Sequence, residues 1–332
     1  MHTPKVSVII PIYNVEPYIE RCIRSLFEQT LESMEYIFIN DYTPDNSMEI
    51  LKNVLMDYPK RIEQIKIINQ PHNKGAAKAR EDGIKAATGE YIIHCDSDDW
   101  VDKNMYQQMY DKACGDGLNM VICDWYETDG EYNEPVQQNL NTNTNLLSGI
   151  IKRSISGSLC NKLIARSIYK KLEIYPTEHM MEDVVYSVQL IAKCSDKIGF
   201  LAKPFYYYYK NDNSICRQSS DEYCIARCKQ ACVNIDAIIS FLQKHQLEKQ
   251  FINELVALKN SARVFLWPLL LKDHKKYRRM WISVYPEINK QYPFTKGITL
   301  NLRIIFCLAI IGVYPYVYQI IKKINIKIND LE

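Results

Sequence analysis

Four short runs rich in β-branched and aromatic residues punctuate the first 95 residues, and stretches with helical spacing separate them. The runs are VSVII at 6–10, YIFIN at 36–40, IKIIN at 65–69 and YIIHC at 91–95. Between them, residues 15–29 place Ile19, Ile23, Leu26 and Phe27 on one helical face, and 47–58 and 76–87 also have helical character. Alternation at this pitch predicts βαβ units around a mostly parallel sheet, with helices on both faces. Near-continuous apolar runs are the mark of strands covered on both sides. Pro11 is expected to end the first strand.

Polar residues collect where these strands end. Pro11-Ile12-Tyr13-Asn14 follows the first, Asn40-Asp41 the second, Asn69 through Asn73-Lys74-Gly75 the third and Asp96-Ser97-Asp98-Asp99 the fourth. Open parallel sheets bind ligands outside the carboxyl ends of their strands. Any one of these segments is explained as a turn or helix cap; all four together are not.

The acids after the fourth run carry the most chemistry. Three carboxylates within four residues repel one another unless a cation is present. Oxygen ligands suit Mg²⁺ or Mn²⁺, which keep positions open for water and phosphate oxygens. The alternative is a solvated acidic turn. No GxGxxG follows the first strand and no GxxxxGK[ST] occurs, which argues against a dinucleotide-binding dehydrogenase and a P-loop NTPase.

Composition narrows the partners. The 332 residues hold 41 Lys and Arg against 39 Asp and Glu, so no basic excess points to nucleic acid. Residues 257–332, however, hold 13 basic and 4 acidic side chains. No secretory leader is expected, because His2, Pro4 and Lys5 run straight into a strand. The eleven cysteines read as reduced thiols. Cys224, Cys228 and Cys232, on one helical face, read as core packing and not as a metal site.

The segments VSVIIPIYNVEPYIERCIRSLFEQT, IFINDYTPDNS, NKGAAKAREDGIKAATGEYI and HCDSDDW, in this order, resemble glycosyltransferase family 2. The resemblance covers roughly residues 5–215 and implies an inverting, metal-dependent enzyme of the GT-A fold that uses a nucleotide-sugar donor. It implies a GT-A domain over 1–218; beyond it, helical spacing at 221–244 and 250–271 predicts a helical region over 219–332. By the resemblance, Pro11, Tyr13, Asn14 and Glu16 line the base and ribose, and Asp41 accepts from the uracil N3–H. Lys74 and Arg80 lie beside the donor, and Asp96-Ser97-Asp98 is the DxD motif. Asp96 then faces the ribose hydroxyls or the metal, and Asp98 ligates Mn²⁺ or Mg²⁺. The acidic pair Glu182-Asp183 matches the position of the catalytic base, with Asp183 as that base. Tyr208 and Lys210 fall on the acceptor or diphosphate side. Two departures stand out: Tyr42-Thr43-Pro44 replaces the usual DGS, implying a differently shaped turn, and Cys160 replaces an aromatic residue before Asn161-Lys162.

Residues 304–321 are apolar but interrupted by Gly312 and Pro315, and Arg303, Lys322, Lys323 and Lys327 flank them. With the basic stretch at 272–279, a membrane-associating segment at 298–323 is expected, lying on anionic lipid rather than spanning it; the alternative is a buried helix pair. The expectation is a UDP-sugar-dependent transferase, peripheral on the cytoplasmic face of the inner membrane. Its acceptor would be a glycan or lipid-linked glycan in surface polysaccharide synthesis. A sugar nucleotidyltransferase and a non-catalytic carbohydrate-binding protein on a degenerate transferase fold are the alternatives.

Overall fold

The computed structural model describes residues 3–194, 197–211 and 220–318. The chain divides into two compact units, Met1–Ile150 with Ile155–Ser214, and Ile151–Ser154 with Ile215–Glu332.

The first unit is built on a nine-stranded sheet. In chain order its elements are β1 (Val6–Ile12), α1 (Ile19–Phe27), β2 (Met34–Asn40), α2 (Ser47–Met56), β3 (Ile65–Asn69), α3 (Ala76–Ala86), β4 (Tyr91–His94), β5 (Trp100–Val101) and α4 (Met105–Gly115). There follow β6 (Met120–Thr128), β7 (Asn133–Val136), α5 (Leu146–Ile151), β8 (Lys162–Ala165), α6 (Arg166–Tyr169), α7 (Glu182–Cys194) and β9 (Ile198–Tyr209). The strand order is β3-β2-β1-β4-β8-β6-β9-β5, with β7 added to β6. Strands β1 to β4 run parallel, so their carboxyl ends share one rim. Antiparallel β8 joins this half to the strands beyond it.

The period-two alternation of β1 sorts its side chains between two layers. Val6, Val8, Ile10 and Ile12 join Tyr36 and Phe38 of β2 in a core with Ile23, Leu26 and Phe27 of α1 and Met105, Tyr106 and Met109 of α4. Ile9 and Ile39 face the other way, against α3. A Cβ on Gly83 of that helix would come 2.4 Å from Ile9 Cγ2, so only glycine lets α3 sit this close to the sheet. Pro11 does not end β1: the strand runs on to Ile12, with Pro11 opposite Ile39. The β4 ladder has already stopped at Ile9 and His94, so no neighbour on that side requires the N–H that proline lacks.

The second unit is helical: α8 (Asp221–Lys244), α9 (Ile252–Val264), α10 (Trp267–Lys272), α11 (His274–Ser283), α12 (Ile288–Gln291) and α13 (Leu300–Ile311). Its core gathers Cys224, Cys228, Ile235, Phe241, Leu258, Leu270 and Trp281, all buried. The helical spacing of 250–271 resolves into two helices. Pro268 would clash with the carbonyl of Val264 in a continuous helix, and α9 ends at Val264. Ser220, Asp273 and Thr299 cap α8, α11 and α13 by accepting backbone N–H bonds, and Gly312 ends α13 in the left-handed region.

Candidate active site

The rim of the parallel strands is laced by side-chain bonds between loops. After β1, Asn14 adopts a left-handed φ of 55°, a conformation asparagine tolerates. Its N–H donates to Thr43 Oγ1 at 2.8 Å, and Thr43 Oγ1 donates to Asp45 Oδ1 at 2.6 Å. Asp45 Oδ2 accepts from the Glu16 N–H at 2.8 Å. The Glu16 carboxylate accepts from the N–H and Nδ2 of Asn46, both at 3.0 Å. The Tyr42-Thr43-Pro44 turn thus replaces a glycine turn with a hydroxyl-centred one, and Tyr42 takes the positive φ, 59°. Pro11, Tyr13, Asn14 and Glu16 lie in or beside this lacing, with Tyr13 exposed.

Asp41, only 2% exposed, accepts from the N–H groups of Lys74 and Gly75 at 2.7 and 2.8 Å. This closes the rim between β2 and α3. Lys74 contributes its backbone here, and its side chain is exposed.

The turn after β4 carries three carboxylates, Asp96, Asp98 and Asp99. Arg80 of α3 is buried and bifurcates: Nη2 meets Asp96 Oδ1 at 2.6 Å and Nη1 meets Glu182 Oε1 at 2.8 Å. Burial alone would lower its pKa, but the charges of Asp96 and Glu182 outweigh that and raise it. Burial, and then the Asp96 charge, push the Asp98 carboxyl up to about 6. Asp99 is pushed up too, by burial and by Asp98 and Asp96. It accepts from Tyr206 Oη at 2.5 Å and from the Tyr209 N–H at 2.7 Å. Tyr206 Oη also accepts from the Asp96 N–H at 3.1 Å, so one phenol pins both ends of the turn. Ser97 is buried within it.

Among the described residues no group of three His, Cys, Asp or Glu side chains is placed to hold a metal. Asp96 and Asp98 fit a cation of another kind. A Mg²⁺-like ion shared with a diphosphate takes one or two carboxylates from the protein. Arg80 occupies one oxygen of Asp96 and leaves the other free of that ion pair.

Helix α7 brings the second acidic pair. Met181, just before it, has φ of 67°, a strained value for a residue with a Cβ. Burial pushes the Glu182 carboxyl up to about 8 against the pull of Arg80, and Asp183 adds to the rise. Asp183 is half-buried, and its Oδ1 accepts from the Val184 N–H at 2.8 Å.

The structure therefore joins Arg80, Asp96 and Glu182 directly and sets Asp98 and Asp183 beside them in sequence. It ties Lys210 elsewhere: its ion pairs are with Glu127 at 3.0 Å and Glu134 at 3.9 Å. In the tyrosine run at 206–209, Tyr206 reaches the acids, whereas Tyr208, two residues further along the same face, is exposed. Sequence reasoning left Asp45 out of the site; it counted Asp99 only as a member of the acidic cluster and gave Tyr206 no role of its own, although period-two alternation from Tyr208 pointed to it.

A mixed sheet that presents an Asp-Ser-Asp turn at its parallel rim, followed by helices, is the GT-A arrangement. Residues 7–172 match the profile of Glycosyl transferase family 2, and the chain belongs to that family. It is similar to the uncharacterized glycosyltransferase EpsJ of Bacillus subtilis (strain 168), at 33% identity over 222 residues. That alignment covers 64% of this chain and 63% of EpsJ, just under two thirds of the relative's length. Two solved structures share the fold. S. aureus TarS 1–349 in complex with UDP-GlcNAc superposes with a TM-score of 0.69 at 18% identity, covering 96% of this chain and 92% of that one. The mannosyltransferase PcManGT from Pyrobaculum calidifontis, in complex with GDP-Man and Mn²⁺, gives 0.55 at 14% identity, covering 96% and 87%.

Proposed function

We propose that the chain is an inverting glycosyltransferase. It moves a sugar from a UDP-sugar donor to a hydroxyl of a glycan or lipid-linked glycan acceptor, in the synthesis of a surface polysaccharide or glycolipid. The observation that carries this reading is the Arg80 bridge. One buried guanidinium grips Asp96 of the donor-side turn and Glu182, the neighbour of Asp183, so leaving-group chemistry and base chemistry are held in one frame.

The roles follow from the side chains. Asp41 has lone pairs left after accepting from Lys74 and Gly75, and these suit the N3–H of uracil. Asp96 and Asp98 would hold a divalent cation, Mn²⁺ or Mg²⁺, which when bound supplies positive charge beside the departing diphosphate. Asp183 takes the proton of the acceptor hydroxyl as that oxygen attacks the anomeric carbon. Direct displacement from the face opposite the diphosphate inverts the centre. Glu182, buried and paired, keeps the first turn of α7 in place and does not serve as the base.

The second unit supports a membrane-surface site of action. Among the described residues no helix is long and apolar enough to cross a membrane. Helix α13 instead exposes Leu300, Ile304, Cys307 and Ile311, spaced to share one face. Beside it, α11 carries the exposed Lys275, Lys276 and Arg279, and Arg278 Nε donates to the Ile310 carbonyl at 2.6 Å. An apolar stripe next to cations matches an anionic lipid surface on the cytoplasmic side. Cosedimentation with phosphatidylglycerol vesicles, but not with phosphatidylcholine vesicles, is expected; self-association through the stripe in lipid-free solution would instead make a second copy its occupant.

The activity is tested with a panel of nucleotide sugars, with Mn²⁺ or with EDTA, scored by nucleoside diphosphate release. UDP release that needs Mn²⁺ and is lost in Asp98→Ala is expected. Release from no nucleotide sugar under any of these conditions would defeat the reading.

A further inference from the structure

Lysine is almost never fully buried unless it is paired. Lys162, the first residue of β8, has no exposed surface. Its ammonium has three N–H donors, and three acceptors meet them. These are the carbonyls of Ser156 and Ser158 at 2.9 and 2.6 Å and Asn161 Oδ1 at 3.0 Å. All three come from the six residues just before it. The cation is thus the hub around which residues 156–161 are wrapped.

The wrap has further ties. The Ser158 N–H donates to Ser156 Oγ at 3.2 Å and the Cys160 N–H to Ser158 Oγ at 3.1 Å. Asn161 Nδ2 donates to the Cys123 carbonyl of β6 at 2.7 Å, which fixes the loop to the sheet. Burial pushes the Lys162 ammonium down to about 8, with the charge of Asp183 pulling the other way.

The loop presents Gly157 to α7. The Gly157 carbonyl accepts from Ser187 Oγ at 2.6 Å. A Cβ built there would lie 3.3 Å from Asp183 Oδ2 and 3.0 Å from Val184 Cγ2. Bare glycine backbone therefore forms the wall against which the Asp183 carboxylate rests. A methyl group would move that carboxylate by a few tenths of an ångström.

We propose that Lys162 is a positioning residue for the transfer reaction. Its buried ammonium holds residues 156–161 closed, so that Gly157 seats the Asp183 carboxylate in line with the acceptor hydroxyl. The inference rests on the reading of Asp183 as the base. Lys162 touches no reacting atom; it acts through the loop.

The test compares Gly157→Ala, Lys162→Met, the double variant and Asp183→Asn in the full chain. Turnover is followed on the nucleotide sugar that the panel finds fastest, UDP affinity by calorimetry with Mn²⁺, and folding by thermal melting. Since a misplacement of about 1 Å costs on the order of 100-fold in rate, Gly157→Ala is expected to lower kcat about tenfold. Its donor KM, UDP affinity and melting temperature should stay near those of the parent. Lys162→Met should lower kcat at least as far, and the double variant should be no slower than Lys162→Met alone, because both changes act on one loop. If Lys162→Met does not fold, Gly157→Ala decides. Full kcat in Gly157→Ala beside an inactive Asp183→Asn overturns the positioning role and leaves the base intact. An equal fall in kcat and UDP affinity in Gly157→Ala also overturns it. Turnover retained in Asp183→Asn is a separate result, which removes the base assignment itself.

Discussion

The two units of this chain differ in their main departures from ordinary burial, although the second also buries the charge of Arg263 and the first also exposes Met56. The first takes charge inside: Arg80, Asp99, Lys162 and Glu182 are all buried. The second leaves apolar surface outside, with Leu300 at 71%, Ile304 at 48% and Ile311 at 63% exposure. Both arrangements are unfavourable for an isolated folded chain, the one through desolvation of ions and the other through contact of hydrocarbon with water. Each departure makes sense where something arrives. In the proposed reading the buried charges serve a reaction and the patterned apolar stripe a surface. Stability arguments alone predict neither.

That contrast sets out the experiments. The largest effect is expected at Asp183, where replacement of a general base lowers turnover by about 100- to 10,000-fold; for Asp183→Asn, a steady-state assay should show this loss with UDP affinity retained. Next comes Arg80→Met, which strands Asp96 and Glu182 without their cation. Removing one partner of a buried ion pair costs about 3–5 kcal/mol, readable as a fall in melting temperature. The pH dependence follows from Glu182, whose folded-state pKa is already raised and rises further once Arg80 is gone. A carboxyl held above its unfolded value favours the fold when protonated and loses that contribution as pH climbs through the folded value. The Arg80→Met deficit should therefore shrink as pH is lowered from alkaline to mildly acidic. A deficit that grows instead would show that Glu182 is not its source.

In the second unit the effects are smaller. Replacing Ile304 and Ile311 by Ser removes two apolar side chains worth about 1.5–3 kcal/mol each when fully buried, and partial immersion in lipid should still weaken vesicle binding about tenfold or more. Folding should be unchanged, because both side chains already face solvent. Least of all, Lys275→Gln and Arg279→Gln should each weaken binding to anionic vesicles by about 1 kcal/mol, an effect that salt erases. Salt-insensitive binding in the parent chain would sharpen the contrast differently, leaving only the apolar stripe at work.

The sequence reveals these regions unevenly, for physical reasons. Strands β1 to β4 were legible because strands covered on both faces must be apolar along their length. The Asp96–Asp99 cluster was legible because acids are costly to crowd. Strand β9 was not: Ala202 and Lys203 are exposed and Pro204 sits in its middle, so only its tyrosine end carried a strand signal. Lys162 was invisible as a buried group, since lysine ordinarily marks the surface and only the carbonyls folded around it say otherwise. Glu16 shows a subtler limit. Its place in the segment after β1 was readable, but its bond to Asn46, 30 residues away, depends on a loop geometry that no local pattern encodes. On α13 the apolar run was plain, whereas its exposure depended on which neighbours cover it.

Because one guanidinium spans positions 96 and 182, these residues form a mutational lock. If the proposed site is correct, a library that randomises position 80 alone is expected to return mostly inactive clones, whatever sugar is offered. Libraries that vary positions 80, 96 and 182 together can trade the cation and both anions for a neutral, packed substitute. Retuning donor choice in this scaffold is then best begun at the Tyr42–Pro44 turn, which leaves that lock shut.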